Sequence, residues 1–159
     1  MIRGLHHIEI AVPDLGVAER FMQGFGLETA EAGDSLEARS AGRSEPEVVF
    51  SEGSSKRLKH IAFHTGADST DMVKSQLRSV GFDEFSDIDG GLSIVDPDGN
   101  TVLLLATDPS PIREVAANVV NSAGQRHRVN EPFWQQALTD TSPLRLGHSL
   151  IFSPDPDAM

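Results

Sequence analysis

The sequence predicts an α+β domain in which two βαβββ modules form one mixed, largely antiparallel sheet with its helices on one face, and three observations carry this. A histidine heads a strand-like run twice, in His7-Ile8-Glu9-Ile10 and in His60-Ile61-Ala62-Phe63. Each run leads to an amphipathic segment that ends in glycine and an apolar residue, Gly26-Leu27 and Gly81-Phe82. The histidine-to-glycine intervals, 7 to 26 and 60 to 81, differ by only two residues, as an internal repeat requires.

The elements follow in order. After the first strand, Pro13-Asp14 breaks the run, and Val17, Phe21 and Phe25 recur at helical spacing. Aspartate suits the N-cap, and glycine suits the left-handed residue that closes a helix. Strands are expected at about 28–32, 36–41 and 47–51. In the second copy Asp68-Ser69 supplies the cap, and Met72, Val73, Leu77 and Val80 the apolar stripe. Strands at about 84–87, 91–95 and 101–106 complete it, the last two joined by the turn Asp96-Pro97-Asp98-Gly99-Asn100. The modules therefore span 1–52 and 57–106, within a domain at 1–106.

Residues 107–144 read as a linker. Asp108-Pro109-Ser110-Pro111 opens it, and short helices are expected at 114–120 and 132–138. The second carries Trp134, the only tryptophan, which either packs across the domain surface or anchors a domain contact. From 145 to 159 the pattern starts again. His148-Ser149-Leu150-Ile151-Phe152 repeats the histidine-headed strand, and Ser153-Pro154-Asp155 the turn, so this stretch is expected to begin a truncated second domain. A single strand has nothing to bury its apolar face against, so Leu146, Leu150 and Phe152 need a partner.

Composition narrows the function. The chain has 159 residues, 38% of them hydrophobic, enough for an apolar core. The absence of cysteine excludes disulfides, thiolate metal sites and cysteine nucleophiles, and fits a cytoplasmic protein. A net charge of −11, with no basic cluster larger than Lys56-Arg57-Leu58-Lys59, argues against nucleic acid as a partner. No apolar run approaches a membrane span. No nucleotide-binding glycine loop or hydrolase pattern is present.

The histidines carry the chemistry. Strand alternation puts His7, Glu9 and Ala11 on one face, and His60, Ala62 and His64 on the corresponding face of the second copy. A pseudo-twofold axis between the modules would let His7 and His60 approach each other. Two imidazoles and a carboxylate with open positions make the facial triad of non-haem iron oxygenases. The strand expected to give the carboxylate reads Thr101-Val102-Leu103-Leu104-Leu105 and has none, and Glu9 lies on the wrong strand. Histidines hydrogen-bonded on a sheet face are the competing reading for His7 and His60. His6 and His64 are weaker metal candidates, and His127 is expected to be exposed.

Leu5-His6-His7-Ile8-Glu9-Ile10-Ala11-Val12-Pro13-Asp14-Leu15, with Phe21 and Gly26-Leu27, resembles the opening of the vicinal-oxygen-chelate superfamily, which includes glyoxalases, bleomycin-resistance proteins and extradiol dioxygenases. Leu58-Lys59-His60-Ile61-Ala62-Phe63 and Asp96-Pro97-Asp98-Gly99-Asn100 resemble its second module. Residues 144–155 are similar to the start of the catalytic domain of type I extradiol ring-cleaving dioxygenases. That resemblance implies a metal-free N-terminal domain here and Fe(II) in the intact enzyme, with His148 its first ligand and the others beyond the chain end. It implies a small aromatic substrate, a role in aromatic-compound degradation and a homo-oligomer, with no metal in this chain itself. The alternatives are a stand-alone binding protein of bleomycin-resistance type and a small glyoxalase-like metalloenzyme.

Overall fold

Strand β1 (Gly4–Val12) ends where Pro13 cannot continue it, and Asp14 takes an extended backbone with φ −147° and ψ 107°. There the Asp14 carboxylate accepts a hydrogen bond from the Val17 amide at 2.9 Å and caps helix α1 (Leu15–Gly24). The structure is a computed structural model that describes residues 2–67, 70–111, 123–124 and 143–155. Helix α2 (Thr70–Ser79) is the second copy of α1. Both close in the same six-residue loop. The Leu27 amide donates to the Met22 carbonyl and the Phe82 amide to the Leu77 carbonyl, each at 3.0 Å. Gly26 and Gly81 stand between with φ of 92° and 82°, a conformation that favours glycine. The expected cap Asp68-Ser69 lies outside the described residues.

The remaining strands are β2 (Glu28–Ala32), β3 (Ser35–Arg39), β4 (Val48–Glu52), β5 (Arg57–His64), β6 (Phe85–Ile88), β7 (Gly91–Val95) and β8 (Thr101–Leu105). They form one eight-stranded sheet in the order β2-β3-β4-β1-β5-β8-β7-β6. Each module sets its first strand parallel to its last, β1 to β4 and β5 to β8, and β1 meets β5 antiparallel at the centre. The order therefore runs alike from both edges, as two modules about a pseudo-twofold require. The fold is α+β with a mixed sheet, as expected from the repeat.

Each module has its own core. Under α1, Val12, Ala18, Leu27, Leu36, Ala38, Val48 and Phe50 are buried. Under α2, Val73, Leu92 and Leu104 are buried, with Phe63, Leu77 and Phe85 against them. Helix α1 differs from expectation in the face it buries. Leu15, Ala18 and Met22 pack on the sheet, whereas Val17, Phe21 and Phe25 are 50%, 66% and 64% exposed. In α2, Val73 and Leu77 turn inward and Met72 and Val80 outward. Both helices have more apolar positions than one sheet face can cover, so spacing alone does not select the buried stripe.

The strand expected at Arg145–Ser153 does not form, and residues 145–152 are irregular. The physical reason is lack of an edge partner within a sheet already built from two complete modules. Pro143, Arg145 and Leu146 instead lie beside Phe21, Phe25 and Leu27, around a cavity of about 310 Å³. Leu150 and Phe152 remain 75% and 87% exposed. The helices expected at 114–120 and 132–138, with Trp134 and His127, lie outside the described residues.

Gly91 provides a test of the β7–β8 pairing. A Cβ there would lie 2.2 Å from the Leu104 carbonyl oxygen, a backbone atom that cannot swing aside. Gly91→Ala is expected to destabilise by about 1–3 kcal/mol through overpacking, and Leu92→Ala by about 2–5 kcal/mol through the cavity it leaves. Gly24→Ala, where a Cβ meets nothing within 4 Å, should be neutral or slightly stabilising. Urea denaturation measures all three, and an unaffected Gly91→Ala protein would contradict the close approach of β7 to β8.

Candidate functional site

The site forms where β1 and β5 cross the pseudo-twofold. Leu5 pairs with Phe63, but His7 pairs with Ala62, so His6 is an extra residue in β1. Glu9 pairs with His60, but Ile10 pairs with Leu58, so Lys59 is an extra residue in β5. The two bulges are related by the axis, one in each Leu-X-His sequence. A regular strand sends neighbouring side chains to opposite faces, and a bulge suspends that alternation. His6 and His7 consequently touch, with Nδ1 atoms 2.7 Å apart, and Lys59 and His60 both reach Glu9.

A row of four imidazoles results. The Nε2 atoms of His7 and His60 are 2.9 Å apart, with the rings edge to face at 5.0 Å. The rings of His6 and His64 lie 4.5 Å apart, tilted by 34°. The expected approach of His7 to His60 is thus observed. His6, a weaker candidate because alternation assigns it to the opposite face, is brought into the row by the bulge.

The two ends of the row differ. At the His60 end, Glu9 collects the Lys59 ammonium at 2.8 Å, the Ser51 hydroxyl at 2.8 Å and His60 Nδ1 at 3.3 Å. At the His64 end, the ring is fully buried, with Nδ1 2.9 Å from the Thr107 hydroxyl and Nε2 3.7 Å from a Glu45 oxygen. The loop between β3 and β4 supplies Glu45 together with Arg43 and Glu47. Arg43 contacts Glu45 at 3.1 Å and Glu47 at 2.8 Å, and Glu47 accepts the Ser40 amide at 2.6 Å. Glu45, in irregular chain far from any histidine in sequence, had no motif to reveal it.

Burial lowers the pKa of all four histidines, since a desolvated imidazolium is disfavoured. His7 falls furthest, to about 4, because its burial is reinforced by His6 and His60 on either side. Burial alone would raise the Glu9 carboxyl, but hydrogen bonds from Lys59 and Ser51 outweigh it and hold the group below its ordinary value. The row is therefore neutral at pH 7, with its nitrogens available as donors, acceptors or metal ligands.

Among the described residues none completes a facial triad on His7 and His60. Leu103 pairs with Ala62 where a carboxylate was sought, and Glu9 engages His60 on Nδ1, away from the Nε2 atoms that meet. His148 is exposed and belongs to no strand. Among the described residues, the group of three whose ligand atoms lie within 4.8 Å of one another is His6, Glu45 and His64.

The depressed histidine pKa values set the acid stability. The unfolded chain takes up protons near pH 6.5, whereas folded His7 resists them to about 4. Their stabilising effect is complete above pH 6.5 and is lost as pH falls through that window. Melting temperature should drop between pH 6.5 and 4, and His7→Gln should flatten the drop. An unchanged slope in His7→Gln would remove His7 from the acid response.

No family model matches the chain. Over 159 residues it is 32% identical to metapyrocatechase 2 of Cupriavidus necator, covering 96% of this chain and 48% of that protein. The chain thus spans about half the length of this curated relative. A catechol 2,3-dioxygenase crystal structure is similar with a TM-score of 0.57 and 19% identity, over 65% of this chain and 41% of that one. A Mn(II)-bound glyoxalase from Novosphingobium aromaticivorans gives 0.54 and 17%, over 72% and 42%. The 2,2',3-trihydroxybiphenyl 1,2-dioxygenase of Sphingomonas wittichii strain RW1 gives 0.55 and 14%, over 70% and 43%. Two βαβββ modules about a central strand pair, together with these likenesses, give the chain the vicinal-oxygen-chelate type of fold.

Proposed function

We propose that the chain is the N-terminal, non-catalytic part of an extradiol ring-cleaving dioxygenase that acts on a catechol-type substrate in aromatic-compound degradation. The observation that carries this is the reach of the sequence likeness. Similarity to metapyrocatechase 2 covers 96% of the chain, whereas likeness to the three solved structures covers 65–72%. It therefore extends past the sheet into the stretch that contains His148, where the histidine-headed strand pattern begins again. The missing carboxylate at Leu103 supports the same division, because a domain without ring-cleaving iron has no need of it.

On this reading Fe(II) belongs to the intact enzyme, with His148 its first ligand and the other ligands in a following domain. The described residues of this chain do not form that centre, so no step of ring cleavage is assigned to them. The small aromatic substrate binds with the metal, and the protein works in the cytoplasm as a homo-oligomer. Among the described residues no helix is long and apolar enough to cross a membrane. The exposed Leu150 and Phe152 are the surface that a following domain would cover.

Iron content and catechol turnover of a longer form, comprising this chain and a following domain, test the assignment. His148→Ala should lose most of both, since a triad has no spare imidazole. His7→Ala should leave iron content nearly unchanged. Equal loss from both substitutions, or loss from His7→Ala alone, would put the iron in the first domain and overturn the proposal.

A further inference from the structure

We propose that His6, Glu45 and His64 hold a divalent first-row transition-metal ion, at a site beside the His7–His60 pair and separate from it. Their ligand atoms already lie within 4.8 Å of one another. Ligand atoms sharing one such ion stand about 3.4 Å apart, from metal–nitrogen and metal–oxygen distances near 2.1 Å. Small side-chain rotations close the difference.

The hydrogen-bond pattern leaves this end of the row without a proton. His60 Nδ1 faces the Glu9 carboxylate at 3.3 Å, which favours its proton there and leaves the lone pair on Nε2. His7 Nε2, 2.9 Å away, then donates, so His7 Nδ1 accepts. His6 Nδ1 at 2.7 Å donates to it in turn, and the free lone pair of His6 falls on Nε2. The anchored carboxylate thus sets the tautomer of three successive rings, as second-shell carboxylates do for metal-binding histidines.

His64 brings the second bare nitrogen. Its Nδ1 lies 2.9 Å from the Thr107 hydroxyl oxygen, and in the tautomer that donates to that oxygen the lone pair is on Nε2. Its Nε2 is fully buried, has no hydrogen-bond partner among the described residues, and is 3.7 Å from Glu45 Oε2, too far for a hydrogen bond. A buried polar atom left in this way is costly unless something fills the gap. Two imidazole lone pairs and a carboxylate are all acceptors, and their common partner is a cation.

Charge agrees. Glu45 and Glu47 share one guanidinium, Arg43, which is 6% exposed, and the Ser110 amide also points at Glu45 from 3.4 Å. One negative charge is left over in the buried cluster. At the twofold-related end the cation is built into the chain, since the bulged residue there is Lys59 and its ammonium sits on Glu9. At this end the bulged residue is His6, and a metal ion takes the ammonium's place. An N2O donor set with open positions suits zinc, cobalt or nickel. The ion binds a site already folded and is not needed to form either core.

This inference does not rest on the dioxygenase reading, because it is tested on the 159-residue chain without ring cleavage. Co²⁺ titration followed by visible absorption, and Zn²⁺ titration by calorimetry, should each show one tight site. Thermal melting should rise with the metal and return with a chelator. His64→Ala and Glu45→Gln should weaken binding at least about a hundredfold, and His60→Gln, two rings removed from the ion, by no more than about tenfold, the low end of an outer-shell change. Far-UV circular dichroism checks folding of the variants, and His6→Gln, at a partly exposed position, carries the test if Glu45→Gln fails to fold. No binding by the unaltered chain would overturn the proposal. So would equal loss from His60→Gln, which would place the ion on the His7–His60 pair.

Discussion

The antiparallel pairing of β1 with β5 is the constraint on which the rest of the molecule depends. It is the seam between the modules, and each module's other strands are stacked outward from it. It also places the imidazole row, because residues equivalent by the repeat become diagonal neighbours across the axis. Glu9 opposite His60 and His7 opposite Ala62 are the same pairing seen from the two copies. The short contact between His7 and His60 follows from that geometry.

Much of this was legible in the sequence for a physical reason. Repetition of a histidine-headed run, a capped helix and a terminal glycine reports local backbone requirements that tertiary packing rarely overrides, and six of the eight strands lie within about two residues of expectation, while β1 and β5 begin three residues before their histidines. The buried helix stripe was not legible. Val17, Phe21 and Phe25 have ideal spacing, yet the sheet takes Ala18 and Met22, because the close approach of a helix to a sheet favours small and flexible side chains there. The site was half legible. His7 and His60 follow from alternation, but His6 joins them through a bulge and Glu45 through an irregular loop, and neither leaves a periodic trace. The strand expected around His148 had its pattern but no edge to pair with.

The charge arrangement separates two ways of keeping buried polar groups. Glu9 gathers a lysine, a serine and an imidazole, and its charge is answered within the row. Arg43 answers two carboxylates with one cation, and His64 Nε2 beside them is answered by none of the protein's own described groups. Neutral imidazoles join the two regions and carry the influence of one carboxylate to the other end through their choice of tautomer. Electrostatic asymmetry is thus built into a backbone that is nearly symmetric.

The paired bulges have a further consequence for how such a repeat diversifies. A bulged residue stands outside the ladder of strand pairs, so its identity is free of the demands that hold its neighbours. Exchanging the middle residue of Leu5-His6-His7 or of Leu58-Lys59-His60 changes the chemistry of one end of the row while no strand changes register. Duplication alone would have produced two like halves. A single tolerant position in each gives selection a place to make one half a charge pair and the other a ligand cluster, with the shared scaffold left untouched.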